Sequence, residues 1–165
     1  MLKRGWAFIV PGEPIGWYAH AVRADGTESR NYRRYKAYHE WCKLVRDSAR
    51  AAGVRLPPDY VHPDAPWFIG VRCIFSTISG CPDCANVQKG AADALFWTKK
   101  ERGVKRLEDN NTSGAYDYPH WSSAIVRRPH TQVLFCPAAE VELVRWDWMH
   151  LLIKTLTANG CGEGM

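Results

Sequence analysis

From Trp6 to Val10 every position is apolar, and Pro11-Gly12 closes the run, which predicts a short buried strand. A longer run, Trp67 to Thr77, carries Trp67, Phe68, Ile69, Val71, Cys73, Ile74 and Phe75 almost unbroken. A segment apolar on both faces belongs at the centre of a sheet. Between the two the period changes. Tyr35, Tyr38, Cys42, Val45, Ala49 and Ala52 recur at three and four residues, predicting a helix over Arg30 to Ala52 that Gly53 ends. Leu56 to Pro66 is a proline-rich connector.

Ser79-Gly80 ends the central strand, and a second helix follows from about Cys84 to Trp97 with Pro82 and Asp83 at its mouth. Asp83 suits the N-cap, where its carboxylate takes up free N–H groups of the first turn. Val87, Ala91, Ala94 and Leu95 share one face, and Asn86, Lys89, Gly90, Asp93 and Trp97 the other. From Thr98 to His120 the pattern dissolves. Ser123 to Arg128 and Thr131 to Cys136 read as strands around Pro129-His130. Pro137 then opens a closing helix to about Asn159, with Val141, Val144, Trp148, Leu151 and Thr155 on its stripe. The alternation through Glu140–Val144 leaves a strand there open as well. The pattern predicts the α/β (α+β) class: one domain over residues 1–165, a mixed β-sheet flanked by helices.

Charge adds a direction. The chain holds 22 basic and 17 acidic side chains, a net +5. Arg30, Arg33, Arg34, Lys36, Lys43, Arg46, Arg50 and Arg55 stand against two acids in one segment, a local +6 that exceeds the total. Such a skew suits phosphate contacts, with Tyr32, Tyr35 and Trp41 beside it either to stack on unpaired bases or to serve the core. Lys99, Lys100, Arg102, Lys105 and Arg106 form a second basic cluster. The apolar run near the N-terminus is too short for a signal peptide or a bilayer span, so a soluble, cytoplasmic protein with reduced cysteines is expected. Cys81-Pro-Asp-Cys84 has the spacing of a zinc knuckle or redox pair, without a second pair to complete four ligands.

Asp83, Asn86, Val87, Lys89, Asp93, Ala94 and Leu95 fall, without a gap, on a pattern of the form Asp-x-Asp-Asn-Leu-x-Lys-x-x-x-Asp-Ala-Leu. The stretch thereby resembles the signature of the RusA family of Holliday junction resolvases. Pro11-Gly12-Glu13-Pro14-Ile15-Gly16 is similar to the turn that follows the first strand of many RusA-like proteins, before a basic loop. In that loop this chain has Trp17, Tyr18, His20 and Arg23. Val87 stands in for the signature leucine, and the serious departure is Ala85, which stands where the second signature aspartate belongs.

The resemblance implies a Mg²⁺-dependent (or Mn²⁺-dependent) endonuclease that acts as a homodimer on branched DNA, the four-way junction above all. Carboxylate-held Mg²⁺ would activate the attacking water and relieve charge on the phosphate. Asp83 is then the principal ligand, and Lys89 bears on the phosphate. Asn86 supports the site, and Asp93 is a ligand or holds Lys89. A further acid comes from Asp109, from Asp117, or from neither, if Ser122-Ser123 occupy the expected place. Asp109 keeps the spacing closer. Arg30, Arg33, Arg34, Lys36, Lys43, Arg46, Lys99 and Lys100 are the candidate DNA contacts. With Ala85 in the signature, a catalytically weakened DNA-binding protein is the alternative. A zinc-binding interaction module built on Cys81 and Cys84 is the second.

Overall fold

Four extended segments join one mixed sheet in the computed structural model, which describes residues 2–17, 27, 32–55, 67–77, 79–96, 121–125, 128–143 and 147–160. The strands are β1 (Trp6–Pro11), β2 (Trp67–Phe75), β3 (Trp121–Ile125) and β4 (His130–Pro137), in the spatial order β1-β4-β2-β3. β4 runs antiparallel to both its neighbours, with Trp6 opposite Phe135 on one side and Val71 opposite Val133 on the other. β3 pairs parallel with β2, Val71 opposite Trp121. The strands on either side of Pro129-His130 therefore form no hairpin: they flank β2. Since β4 alone is reversed, β1, β2 and β3 all point their carboxyl ends to the same edge.

The helices cover the two faces. α1 (Tyr32–Ala51) and α2 (Cys84–Phe96) lie on one, over Phe8, Val10, Trp67, Ile69, Val71, Cys73, Val133 and Phe135. α3 (Ala138–Leu143) and α4 (Trp148–Ala158) lie on the other, over Ala7, Phe68, Leu134 and Cys136. Odd and even positions of β2 thus serve opposite cores, which is why that strand is apolar at every position but Arg72. Trp6, Trp67 and Phe135 stack across three strands at 4.6 to 6.0 Å between ring centroids.

α1 buries Tyr38, Trp41, Cys42, Val45 and Ala49. Trp41 is therefore core and cannot stack on a base. Gly53 closes the helix at φ +90°, its N–H bonding the Arg50 carbonyl while Val54 N–H reaches Ala49. This paired ending satisfies carbonyls the helix would leave open, and Val54 is buried beside it.

The single closing helix expected over about 137–159 is two helices, and the correction has a local cause. Pro137 is the last residue of β4, so the chain is still extended there. Asp147 then starts α4 afresh, its side chain accepting the backbone N–H of His150. An N-cap residue leaves helical geometry, so a continuous helix cannot run through it. Residues 140–143 are helical, which removes the alternative strand. Trp148 of α4 presses on the sheet at Gly70, where an added Cβ would stand 2.5 Å from its ring. Among the described residues no helix is long and apolar enough to cross a membrane.

α1 and α2 approach closely at Gly90, where an added Cβ would meet Trp41 and Tyr38 at 3.0 Å. Beside it the Tyr38 hydroxyl donates to Asp93 Oδ2 at 3.0 Å, with Asp93 only 7% exposed. A buried carboxylate stripped of a donor is costly. Tyr38→Phe is expected to lower stability by about 1–3 kcal/mol in urea unfolding with the m-value unchanged. A loss within error would mean that the other surroundings of Asp93 suffice.

Candidate functional site

The shared edge of β1, β2 and β3 carries a cleft of about 630 Å³. Glu13 to Trp17 form one wall, Ser76, Thr77, Ser79 to Asp83 and Asn86 another, and Arg34 and Ala37 of α1 face in from the side. β1 and β2 are two sheet spacings apart, about 10 Å, so the turn after one stands over the end of the other. Glu13 closes that gap. Its carboxylate accepts the Ser76 backbone N–H at 3.2 Å and the Ser76 hydroxyl.

The same turn docks on the mouth of α2. Trp17 N–H donates to the Asn86 carbonyl at 3.0 Å, and Gly16 fits against Pro82, where a Cβ would come within 2.9 Å. A side chain at position 16 would push the two segments apart. Lys89 Nζ then sits 4.1 Å from the centre of the Trp17 ring. Such a contact is worth about 0.5–1 kcal/mol at an exposed site and holds the ammonium beside the cleft.

Asp83 is the N-cap of α2. Its Oδ1 accepts Ala85 N–H at 2.9 Å, and its carbonyl takes Asn86 and Val87 N–H at 3.0 and 3.2 Å. The carboxylate is exposed on the cleft wall, at the electropositive end of a helix dipole, a place that favours negative charge.

The other candidates separate. Asn86 is exposed and lines the cleft; Lys89 flanks it through Trp17. Asp93 belongs elsewhere: ten residues along α2 put it about 15 Å from Asp83, under α1. One ion cannot be held by both, and Lys89 points to Trp17 rather than into a pair with Asp93. Gly90 and Asp93, read from the sequence as an open face, are covered by α1.

Among the basic residues, Arg34 reaches the cleft, and Arg33 and Lys36 are exposed on the same end of α1, with Lys36 Nζ over the Tyr32 ring at 4.7 Å. Lys43 is engaged with Asp47 at 2.7 Å, more than two helical turns from Arg34. Asp47 is held below its usual pKa by the Lys43 hydrogen bond and by Lys43, Arg50 and Arg46 charge. Arg46 is half-buried near His39, whose pKa is lowered by burial and then by that charge. Arg30, Asp109, Asp117, Lys99 and Lys100 lie outside the described residues, as does Trp97.

Glu13 does not stand out in the sequence. The signal there is modest: one acid in a Pro-Gly-x-Pro turn directly after a strand, on the edge where the next strand also ends. Among the described residues no three of His, Cys, Asp and Glu converge to hold a metal ion. Cys81, Cys84 and Cys73 take part in no disulfide. Comparison with known proteins found no matching family model, no matching curated protein and no matching solved structure. The likeness to the RusA pattern therefore stands on the motif residues themselves.

Proposed function

We propose that the cleft at Asp83 is the active site of a Mg²⁺-dependent endonuclease of RusA type, acting in the cytoplasm as a homodimer on branched DNA. One observation carries the reading. The two motif segments that resemble RusA, some seventy residues apart in sequence, fold onto one cleft, and Arg34 of the basic helix faces it.

The donor set suits Mg²⁺ in its sparing mode. That ion is commonly held by one or two carboxylates, with waters and substrate phosphates filling the remaining positions. Asp83 and Glu13 are the described carboxylates on the cleft. When bound, the ion supplies an activated water and charge relief at the phosphate. The chain's own side chains do the rest. Arg34 draws the phosphate in, as a fixed fork of donors suited to its oxygens. Lys89, held over Trp17, adds positive charge at the rim. Asn86 fixes the Trp17 wall through its carbonyl. Ser76 orients the Glu13 carboxylate.

A second reading is a DNA-binding protein that does not cut. Ala85 favours it, because the position beside Asp83 lacks a carboxylate and Asp83 Oδ1 already serves Ala85 N–H. Cleavage of a synthetic four-way junction against duplex of matched sequence, with and without Mg²⁺ or Mn²⁺, separates the two. Metal-dependent cutting confined to the junction is the expected result. Tight junction binding with no cutting in either metal would establish the second reading.

The binding surface has its own test. Replacing Arg33, Arg34 and Lys36 together by Ala is expected to weaken junction binding. It should also flatten the slope of log K against log salt by up to about 3, roughly one unit for each phosphate no longer neutralised. An unchanged slope would place the phosphate contacts off α1.

A further inference from the structure

The cleft offers more than a phosphate requires. A phosphate is met by donors and positive charge, and Arg34 brings both. Yet Ile15, Trp17 and Pro82, each half-buried, put apolar surface on the same lining. Trp17 is the largest of them, and its surroundings hold it in place. Its N–H is bonded to the Asn86 carbonyl at 3.0 Å, and Gly16 just before it fits against Pro82. Lys89 Nζ stands 4.1 Å from its ring centre and covers one face of the indole. A flat apolar group entering the cleft therefore meets an aromatic ring that is already positioned, which spares the cost of ordering it. We infer that the Trp17 indole is the stacking platform for one unpaired nucleobase, and that this contact beside Arg34 distinguishes branched DNA from duplex. The inference rests on the DNA reading proposed above and adds which part of the strand is recognised.

Size decides what can reach the ring. The cleft, at about 630 Å³, is within the range of about 300–1,000 Å³ that encloses a small-molecule ligand. A single nucleotide fits such a space. A duplex, whose major groove alone is about 12 Å wide, has to lie across the mouth. A base therefore meets Trp17 only once it has left its own stack. That step opposes binding in a paired duplex and opposes it least where pairing is already interrupted. Stacking on an aromatic ring is also indifferent to which base arrives, since every base has a π-face. The selectivity expected is for the form of the DNA, with little preference for its sequence.

The experiment measures binding of the intact chain, without added metal so that nothing is cut, to a short oligothymidine strand. The comparison is a strand of the same length and charge that carries only abasic sugars. Stacking of a base on an aromatic side chain is worth about 5- to 100-fold in affinity, so the parent should prefer the thymidine strand by about that factor. Trp17→Ala should bring the two strands to the same affinity. Trp17 packs partly on the core, so Trp17→Phe is the check on folding: its phenyl ring should keep most of the preference. Equal binding of the two strands by the parent, binding of neither, or a preference that survives Trp17→Ala would each overturn the inference. The nuclease reading fails separately. A parent that prefers the thymidine strand but cuts no junction in either metal refutes that reading and leaves the stacking site standing. One that cuts the junction and shows no preference refutes the stacking site alone.

Discussion

Asp83→Asn is expected to reduce metal-dependent cleavage of a four-way junction by at least about a hundredfold while junction binding stays level or tightens. Loss of an outer partner of a metal ligand already costs about 10–100-fold, and here the proposed ligand itself loses its charge. The design of the change matters because the proposed function gives Asp83 a second job beside capping. Its Oδ1 caps α2 through Ala85 N–H, and Asn is as good an N-cap as Asp, so the helix mouth is kept. Asp83→Ala removes both roles and is expected to cost about 1 kcal/mol of stability in addition. Comparing the two separates catalysis from capping. Glu13→Gln keeps the shape that meets Ser76 and removes the second carboxylate, so it should lower activity and raise the Mg²⁺ required. Ala85→Asp should do the opposite. Parent-level cutting by Asp83→Asn would end the metal-site assignment.

Gly70→Ala is the substitution expected to cost most in the core. Gly70 is in the middle of β2, and an added Cβ would stand 2.5 and 2.7 Å from the Trp148 ring and 2.8 Å from Phe68. Phe68 has no room to yield, whereas Trp148 is half-buried and can move only with α4. Phe68 is 1% exposed, and its ring already meets that of Trp148 at 5.9 Å. Overpacking of this kind costs about 1–3 kcal/mol, or roughly 2–4 °C of Tm per kcal/mol in a chain of this size. The expected response is local: α4 lifts from the sheet while α1 and α2 stay seated. Combining Gly70→Ala with Trp148→Ala tests that, because the pair should be less damaging than the sum of the two. Additive losses would show that the strain is taken elsewhere.

The strands and main helices are legible in the sequence because burial writes itself directly into periodicity. β2 is apolar but for Arg72 since both its faces are covered, and α1 shows its stripe since one side packs on α2 and β1. Asp83 is legible as a cap from position alone. What periodicity does not reveal is which outward positions of α2 meet another helix. Gly90 and Asp93 sit on a face that looks polar in sequence, yet α1 covers it, with glycine giving the clearance and Tyr38 answering the carboxylate. Helix periodicity separates two sides, whereas α2 packs against the sheet and against α1 at once. Glu13 is hidden for a related reason. Its meaning depends on β4 inserting between β1 and β2, a non-local pairing that no window of sequence displays.

That insertion also times the birth of the site. β1 is near the start of the chain, but its hydrogen-bonded neighbour is β4, with Trp6 opposite Phe135. Pairing over so long a loop is entropically late and slow compared with local helix formation. During synthesis β1 waits without its strand partner until β4 has emerged, at about 5–20 residues per second. Only then can the Glu13 turn be brought over Ser76 and the cleft close. A nascent or truncated chain can carry the whole α2 motif and still lack the wall facing it, so the candidate site is withheld until β4 is in place.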